Sequence, residues 1–293
     1  MSHLPTNDRF HEVEASLHGR RPRLAPVVQA EFWRSDALPF LESRRACRTG
    51  SCYKPHSHDA VSIGAVDEGR SVFTGAPEGP VQLTAKNLVV IPAYRVHACN
   101  PVEGRWSYQM LHVDEAWLEG SLPELGMGAD RPVRVIDEPG QYAAFCHLNE
   151  VLFSDVDLRE KEELLVTVLD EILTTPAHII GGARVGEADL AIIAPILEHL
   201  RTSNMQVSLG DLVRDTGLSR FQLVRRFRVV TGLPPLAWQI NERIIRARSR
   251  LRAGCGLAEV SNDLGFADQS HFHRIFKSRT GVTPGEYRAG AAR

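Results

Sequence analysis

The carboxyl-terminal hundred residues carry a helical spacing of apolar positions that occurs twice. Leu209, Leu212 and Val213 fall on one helical stripe, Gly217 suits the left-handed conformation that ends a helix, and Ser219 offers an oxygen to cap the next. In the segment that follows, Leu223 and Phe227 are four apart and bury together, turning Arg220, Gln222, Val224, Arg225 and Arg226 toward other faces. A second copy runs from Leu257 to Gly265, continues with Asp268 as the cap, and sets Phe272 and Phe276 in the places of Leu223 and Phe227. Ser219/Asp268, Leu223/Phe272, Arg225/Arg274, Phe227/Phe276, Gly232/Gly281 and Pro235/Pro284 are all 49 positions apart. The preceding glycines, Gly217 and Gly265, are 48 apart, so the second turn differs by one residue. A single capped amphipathic helix is commonplace on a protein surface. Two copies at one spacing, each followed by Thr-Gly, predict a repeated helix-turn-helix unit, with a long helix from Leu236 to Arg252 joining the copies.

Upstream the pattern changes. From Glu31 to Asp114 short apolar or alternating runs separated by glycine and proline predict strands at Val61–Val66, Ser71–Thr74, Val81–Thr84, Leu88–Ile91 and Trp106–Val113, as in a small antiparallel barrel. Two helices are predicted at Gln141–Phe153 and Asp157–Leu173. The second carries an apolar stripe of Leu165, Val168, Leu169 and Ile172, suited to a partner helix or to its own barrel. Glycines and a proline mark residues 174–188 as a linker, so the chain divides into residues 1–173 and 189–293. The predicted class is α+β with two domains: an antiparallel β-barrel with helices, then an all-α double helix-turn-helix.

Composition narrows the class. The chain has 293 residues, 43% hydrophobic and 24% charged, as in ordinary globular proteins. No window nears the roughly 20 apolar residues that span a bilayer, and the start, MSHLPTNDRF, lacks the apolar stretch of a secretory signal, so a cytoplasmic location with no membrane partner is expected. Cys47, Cys52, Cys99, Cys146 and Cys255 are odd in number and irregularly spaced, which argues against a disulfide framework. The net charge of -2 hides a polarity: from Glu187 onward 16 Lys and Arg face 10 Asp and Glu, whereas the rest has 18 against 26. A basic carboxyl-terminal module points to a polyanion partner for that end alone.

The run Leu209 to Leu223, and still more Gly265-Phe-Ala-Asp-Gln-Ser-His-Phe-His-Arg-Ile-Phe-Lys with Gly281-Val-Thr-Pro and Tyr287-Arg288, resembles the AraC/XylS family of bacterial regulators over about residues 190–289. Val213 and Ser261 stand where that family usually has alanine at the tight helix contact. The resemblance implies two recognition helices in successive major grooves of one face of double-stranded promoter DNA, with RNA polymerase and a second copy of the chain as further partners. Arginine matches guanine and glutamine matches adenine, so base reading is expected from Phe221, Gln222 and Arg225 in the first helix, and from Gln269, Ser270, His271, His273 and Arg274 in the second. Arg220, Arg226, Arg228, Lys277 and Arg279 are expected on phosphates, where a bare cation suffices.

In the amino-terminal half, Pro55-His56-Ser57-His58 followed by Ile63-Gly64, and then Asn87 to His97, resemble the two cupin motifs of the sensor domains in that family. The resemblance implies a cupin-like barrel with a small-molecule effector in its mouth, for which Tyr53, His56, His58, Arg95, His97, Trp106, Tyr108 and His112 are the expected lining. His56, His58 and His97 also match a three-histidine set that suits a divalent metal such as zinc, iron, copper or nickel. The carboxylate that metal-binding cupins carry shortly after the second histidine is absent, Ser62 and Ile63 standing there. Cys52 and Cys99 have no evident cationic neighbour to activate a thiol, so they read as small buried hydrophobes rather than redox sensors. An effector-controlled, non-enzymatic transcription regulator is therefore expected; a metal-dependent cupin enzyme or a metal or redox sensor fused to a DNA-binding module is the alternative.

Overall fold

The computed structural model describes residues 28–49, 53–76, 79–102, 104–122, 131–180, 185–203 and 207–290. Cys52, one of the two cysteines weighed as a sensor, lies outside them. The amino-terminal half runs β1 (Val28–Arg34), β2 (Leu41–Thr49), β3 (Ala60–Glu68), β4 (Arg70–Thr74), β5 (Val81–Thr84), β6 (Leu88–Ile91), β7 (Ala98–Pro101), β8 (Arg105–Asp114), α1 (Glu115–Ser121), β9 (Val133–Ile136), α2 (Pro139–Leu152), α3 (Leu158–Thr174) and β10 (His178–Ile180). Seven strands form one sheet in the order β1-β2-β8-β3-β6-β9-β10, and β5-β4-β7 form a second. All the pairings are antiparallel.

The larger sheet is covered on both faces, which explains why β3 and β6 read as nearly continuous apolar runs. Val61, Ile63, Leu88, Val90, Leu111 and Val113 pack against Leu118 of α1, Phe145 and Leu148 of α2, and Leu165, Val168, Leu169 and Ile172 of α3. The opposite face sends Val66, Val89, Ile91, Trp106 and Tyr108 toward Phe73, Leu83 and Cys99 of the smaller sheet. The α3 stripe is thus buried in its own domain, 0–3% exposed, and is not free for a partner helix. Within the predicted linker, His178–Ile180 pairs with Val133–Val135 and extends the sheet.

The carboxyl-terminal half contains α4 (Glu187–Thr202), α5 (Leu209–Thr216), α6 (Arg220–Thr231), α7 (Pro235–Arg252), α8 (Leu257–Asp263), α9 (Gln269–Thr280) and α10 (Pro284–Ala289). Each predicted turn forms by the chemistry read in the sequence. Gly217 adopts φ 67° and closes α5, Ser219 accepts from the Gln222 amide to open α6, and Asp268 accepts from the His271 amide to open α9. Two cores result. Leu212, Leu223 and Phe227 pack with Ile193, Ile196 and Trp238; Phe272 and Phe276 pack with Ile244, Leu251, Val260 and Tyr287. Helix α7 contributes to both and holds the two units together.

Candidate functional site

Strand register sets the first wall of a cavity. In β2, Leu41 faces the helices while Glu42 and Arg44 face the other way, and β8 pairs His112 with Glu42, Met110 with Arg44 and Tyr108 with Ala46. On the other side of β2, β1 brings Phe32 opposite Arg44 and Arg34 opposite Glu42. His56 and His97 meet in an isolated bridge at the edge of this wall. The carboxyl-terminal domain supplies the other wall: Arg248 from α7, Arg279 and Thr280 from the end of α9, and Tyr287 from α10. Between them lies a narrow cleft.

Polar contacts lock the two halves across this cleft. Arg248 donates to Glu42 at 3.2 Å and to Nδ1 of His58 at 2.7 Å, and the Tyr287 hydroxyl donates to Glu42 at 2.7 Å. Arg34 and Arg44 donate to the carbonyls of Tyr287 and Thr280, at 2.9 and 2.7 Å. Asn241 exchanges two hydrogen bonds with Ser57, at 2.9 and 3.1 Å. Burial alone would raise the carboxyl pKa of Glu42, but Arg248 and Arg34 hold it far below the usual range, so Glu42 is the fixed anion of this junction.

Four histidines line the cleft, and all are neutral. Burial, reinforced by neighbouring charge, lowers His56 and His58 well below the ordinary histidine range and His112 to about 3; burial alone takes His97 to about 4. His56 and His97 donate from Nδ1 to the carbonyls of Lys54 and Arg95, at 2.7 and 2.9 Å, which leaves their Nε2 lone pairs free. His58 differs: its Nδ1 accepts from Arg248, which places its proton on Nε2. The three ligand nitrogens lie within 4.8 Å of one another, against about 3.4 Å for tetrahedral zinc with nitrogens near 2.1 Å. No carboxylate stands in the fourth place, where Ser62 instead bonds His112 at 2.8 Å, and Arg44, Arg248 and Arg279 share the cleft. This donor set, with one lone pair spent on a guanidinium and three cations beside it, does not fit a divalent metal.

The expected lining is largely brought together: Tyr53, His56, His58, His97, Trp106, Tyr108 and His112 all border the cleft. Arg95 does not, since its guanidinium turns away to the carbonyl of Arg131 at 2.9 Å. Phe32, Glu42, Arg44, Met110, Arg248 and Tyr287 were not legible as lining, because no local motif marks residues that meet only when two domains dock. Cys99 is buried at the edge of the cleft, and burial pushes its thiol up to about 12, which suits a packing role.

The second candidate surface is formed by the starts of α6 and α9. Arg220, Phe221 and Arg225 are exposed, Phe221 at 75%, and so are Arg228, Gln269, Ser270, Arg274 and Lys277. An aromatic ring that open on a helix beginning, flanked by arginines, suits contact with bases rather than with water. Gln222 is exposed but its Oε1 accepts from the Ser219 amide at 3.0 Å, so half of its amide serves the cap. His271 and His273 are half-buried beside Phe266 and Phe272. Arg226 pairs with Asp189 at 2.9 Å. Arg279, expected on a phosphate, is only 6% exposed and lines the interdomain cleft. The last turn of α9 faces the amino-terminal domain, where Arg44 bonds Thr280, so its cation cannot reach a DNA backbone from this position.

An AraC-like ligand binding domain model matches residues 40–173, and a helix-turn-helix domain model matches residues 212–290. The chain is 25% identical over 222 residues to the uncharacterized HTH-type transcriptional regulator YbfI of Bacillus subtilis, spanning 74% of this chain and 80% of that protein. It is 35% identical over 96 residues to the arabinose operon regulatory protein of Escherichia coli, spanning 32% of each. Among solved structures, an apo form of a ToxT variant from Vibrio cholerae superposes with a TM-score of 0.51 at 14% identity, covering 92% of this chain and 99% of that one. That likeness extends the shared fold across both domains.

Proposed function

Because the chain belongs to the AraC/XylS family of transcription regulators, we propose that it binds promoter DNA through α6 and α9 and is controlled by a small molecule held between its two domains. The observation that carries the control step is the shared cleft: the amino-terminal domain provides the histidine and aromatic wall, and Arg248, Arg279 and Tyr287 of the DNA-binding domain provide the rest. A ligand seated there touches both domains, so it binds the docked and undocked arrangements with different affinity, which is what effector control requires. The chemistry of the cleft supports binding: Glu42, the carboxylate of its described lining, is fully committed to Arg34, Arg248 and Tyr287 and is not free to act as a general acid or base.

Action at a promoter brings in RNA polymerase and a second copy of the chain as partners. The buried α3 stripe is not the face that would join two copies.

The test is footprinting on the DNA upstream of the chain's own gene, coupled to a transcript measurement. Two protected stretches one helical turn apart on one face, roughly 10 base pairs, with transcription altered by Tyr287→Phe at an unchanged footprint position, support the reading. A single protected stretch, or output insensitive to Tyr287→Phe, contradicts it.

A further inference from the structure

A second cavity lies on the other face of the strands that wall the cleft. Side chains alternate across a strand, so Arg44 of β2 and Tyr108 of β8 face the cleft while their neighbours Arg45 and Gln109 face the side covered by α2. On that side Leu111 of β8 and Ile63 of β3 pack beneath the helices. Further along the same strands the apolar row gives way to polar side chains: Glu31, Arg45 and Gln109 stand in register on β1, β2 and β8, and Asp67 follows on β3. Here a cavity of about 390 Å³ opens, bordered by these four and by Cys146 and Glu150 of α2. Its volume falls within the range of about 300–1,000 Å³ of small-molecule sites. Its described lining comes entirely from the amino-terminal domain.

The hydrogen bonds of this cavity leave acceptors over. Oδ1 of Asp67 accepts from the Tyr142 hydroxyl and from Nε2 of Gln109, each at 2.9 Å, and the same Nε2 reaches the sulfur of Cys146 at 3.4 Å. These donors fix the Asp67 carboxylate and the Gln109 amide in direct contact. They do not use Oε1 of Gln109, which is buried and has no hydrogen-bond partner. A buried acceptor without a donor is costly and persists where something else supplies one. Charge points the same way. The described lining holds three carboxylates, Glu31, Asp67 and Glu150, against one guanidinium, Arg45, which lies over the Phe153 ring at 4.3 Å. Among the described residues none of the three carboxylates is in an ion pair. Burial raises the pKa of the Cys146 thiol, and the Asp67 and Glu150 carboxylates raise it further. The lining therefore lacks a positive charge and N–H donors. We propose that this cavity binds an organic cation, a primary ammonium or a guanidinium, whose N–H groups donate to Asp67 and to Oε1 of Gln109, with Glu31 and Glu150 at its rim. The site is separate from the interdomain cleft, where Arg44, Arg248 and Arg279 repel a cation. Its occupant touches β2 and β8, the strands whose other face forms the cleft wall.

The experiment uses the full chain and a defined series of probes: the chloride salts of butylamine, 1,4-diaminobutane, 2-phenylethylamine and butylguanidine. Each is set beside its neutral counterpart, the acetamide or, for the guanidine, the urea, and tetramethylammonium serves as a cation without N–H groups. Thermal melting and calorimetry are read for the wild type, for Asp67→Asn and, as a control at an exposed carboxylate of α3, for Asp170→Asn. Asp67→Asn removes the charge and keeps the oxygen that accepts from Tyr142 and Gln109. The expected result is that one or more of the N–H cations raise the melting temperature in proportion to occupancy, while the neutral counterpart does not and tetramethylammonium binds at least tenfold more weakly. Asp67→Asn then weakens the cation at least tenfold, and Asp170→Asn leaves it unchanged. No binding by any of the cations, equal binding of cation and neutral counterpart, equal binding of tetramethylammonium, or indifference to Asp67→Asn overturns the proposal. Equal weakening by Asp170→Asn also overturns it, since that is the mark of diffuse attraction to an acidic surface. The comparison among probes needs no variant and stands even if Asp67→Asn misfolds.

Discussion

The Tyr287 hydroxyl donates to Glu42 across 2.7 Å, although 245 positions separate the two residues in the chain. Arg248 completes the triangle, donating to Tyr287 at 3.2 Å and to Glu42 at 3.2 Å. A carboxylate buried between strand β2 and helices α7 and α10 is the electrostatic pin of the domain junction. Glu42→Gln removes the charge and leaves Arg34 and Arg248 buried without it. Breaking a buried pair from one side costs about 3–5 kcal/mol, to be read as a lower urea midpoint for the full chain. An unchanged midpoint contradicts the pin.

Gly232 ties the first helix-turn-helix unit to the amino-terminal domain by close approach. Its φ is 78°, and a Cβ there would come within 2.9 Å of the Val96 side chain. Gly232→Ala therefore suffers twice, from the left-handed backbone at about 1–2 kcal/mol and from contact with Val96. The double variant Gly232→Ala with Val96→Ala should recover the second part, which a double-mutant cycle measures as a coupling of roughly 0.5 kcal/mol or more. Strict additivity would mean that the loop and α6 do not touch in solution.

Acid should loosen the junction. His97 and His112 have folded pKa values lowered to about 4 and about 3, below the ordinary 6.5. Below pH 6.5 the unfolded chain takes up protons that the folded chain refuses, so the stability present above 6.5 is lost as pH falls toward those values. Each group contributes a slope of about 1.4 kcal/mol per pH unit in that window. Unfolding followed from pH 7.5 to 5 should show falling stability below 6.5, with a shallower slope in His112→Asn. A flat profile contradicts neutral buried imidazoles.

Salt dependence separates the expected phosphate partners from Arg279. Arg220→Ala and Lys277→Ala, both exposed, should each lower the log-log salt slope of DNA binding by about one unit. Arg279→Gln, buried in the cleft, should leave the slope unchanged. Equal slope changes for Lys277 and Arg279 would put the end of α9 on the DNA instead.

The helix-turn-helix units were readable because their logic is local: period, cap and terminating glycine lie within about twenty residues, and Ser219, Gly217 and Asp268 do what their chemistry suggests. The strands with apolar alternation were readable for the same reason. Strand β2 was not. Its sequence, LESRRACRT, looks like a solvated charged segment, yet Glu42 and Arg44 point inward because another domain supplies their partners. Arg279 illustrates the limit from the other side. It sits two residues from Lys277 in the same last turn and resembles it in every local respect; packing of the amino-terminal domain on Thr280 and Arg279 decides that one is exposed and the other buried. The histidines could be grouped by motif, but that Arg248 takes the lone pair of His58 depends on a contact between residues 190 positions apart.

The central claim, a regulator whose two recognition helices read DNA, is tested most directly by binding the full chain to the DNA upstream of its gene as salt is varied, with Arg225→Ala and Arg274→Ala alongside. The account predicts tight binding with a steep salt slope, and in each variant a loss of discrimination of about 1–3 kcal/mol with nonspecific binding retained. Weak binding that both substitutions leave untouched would contradict it.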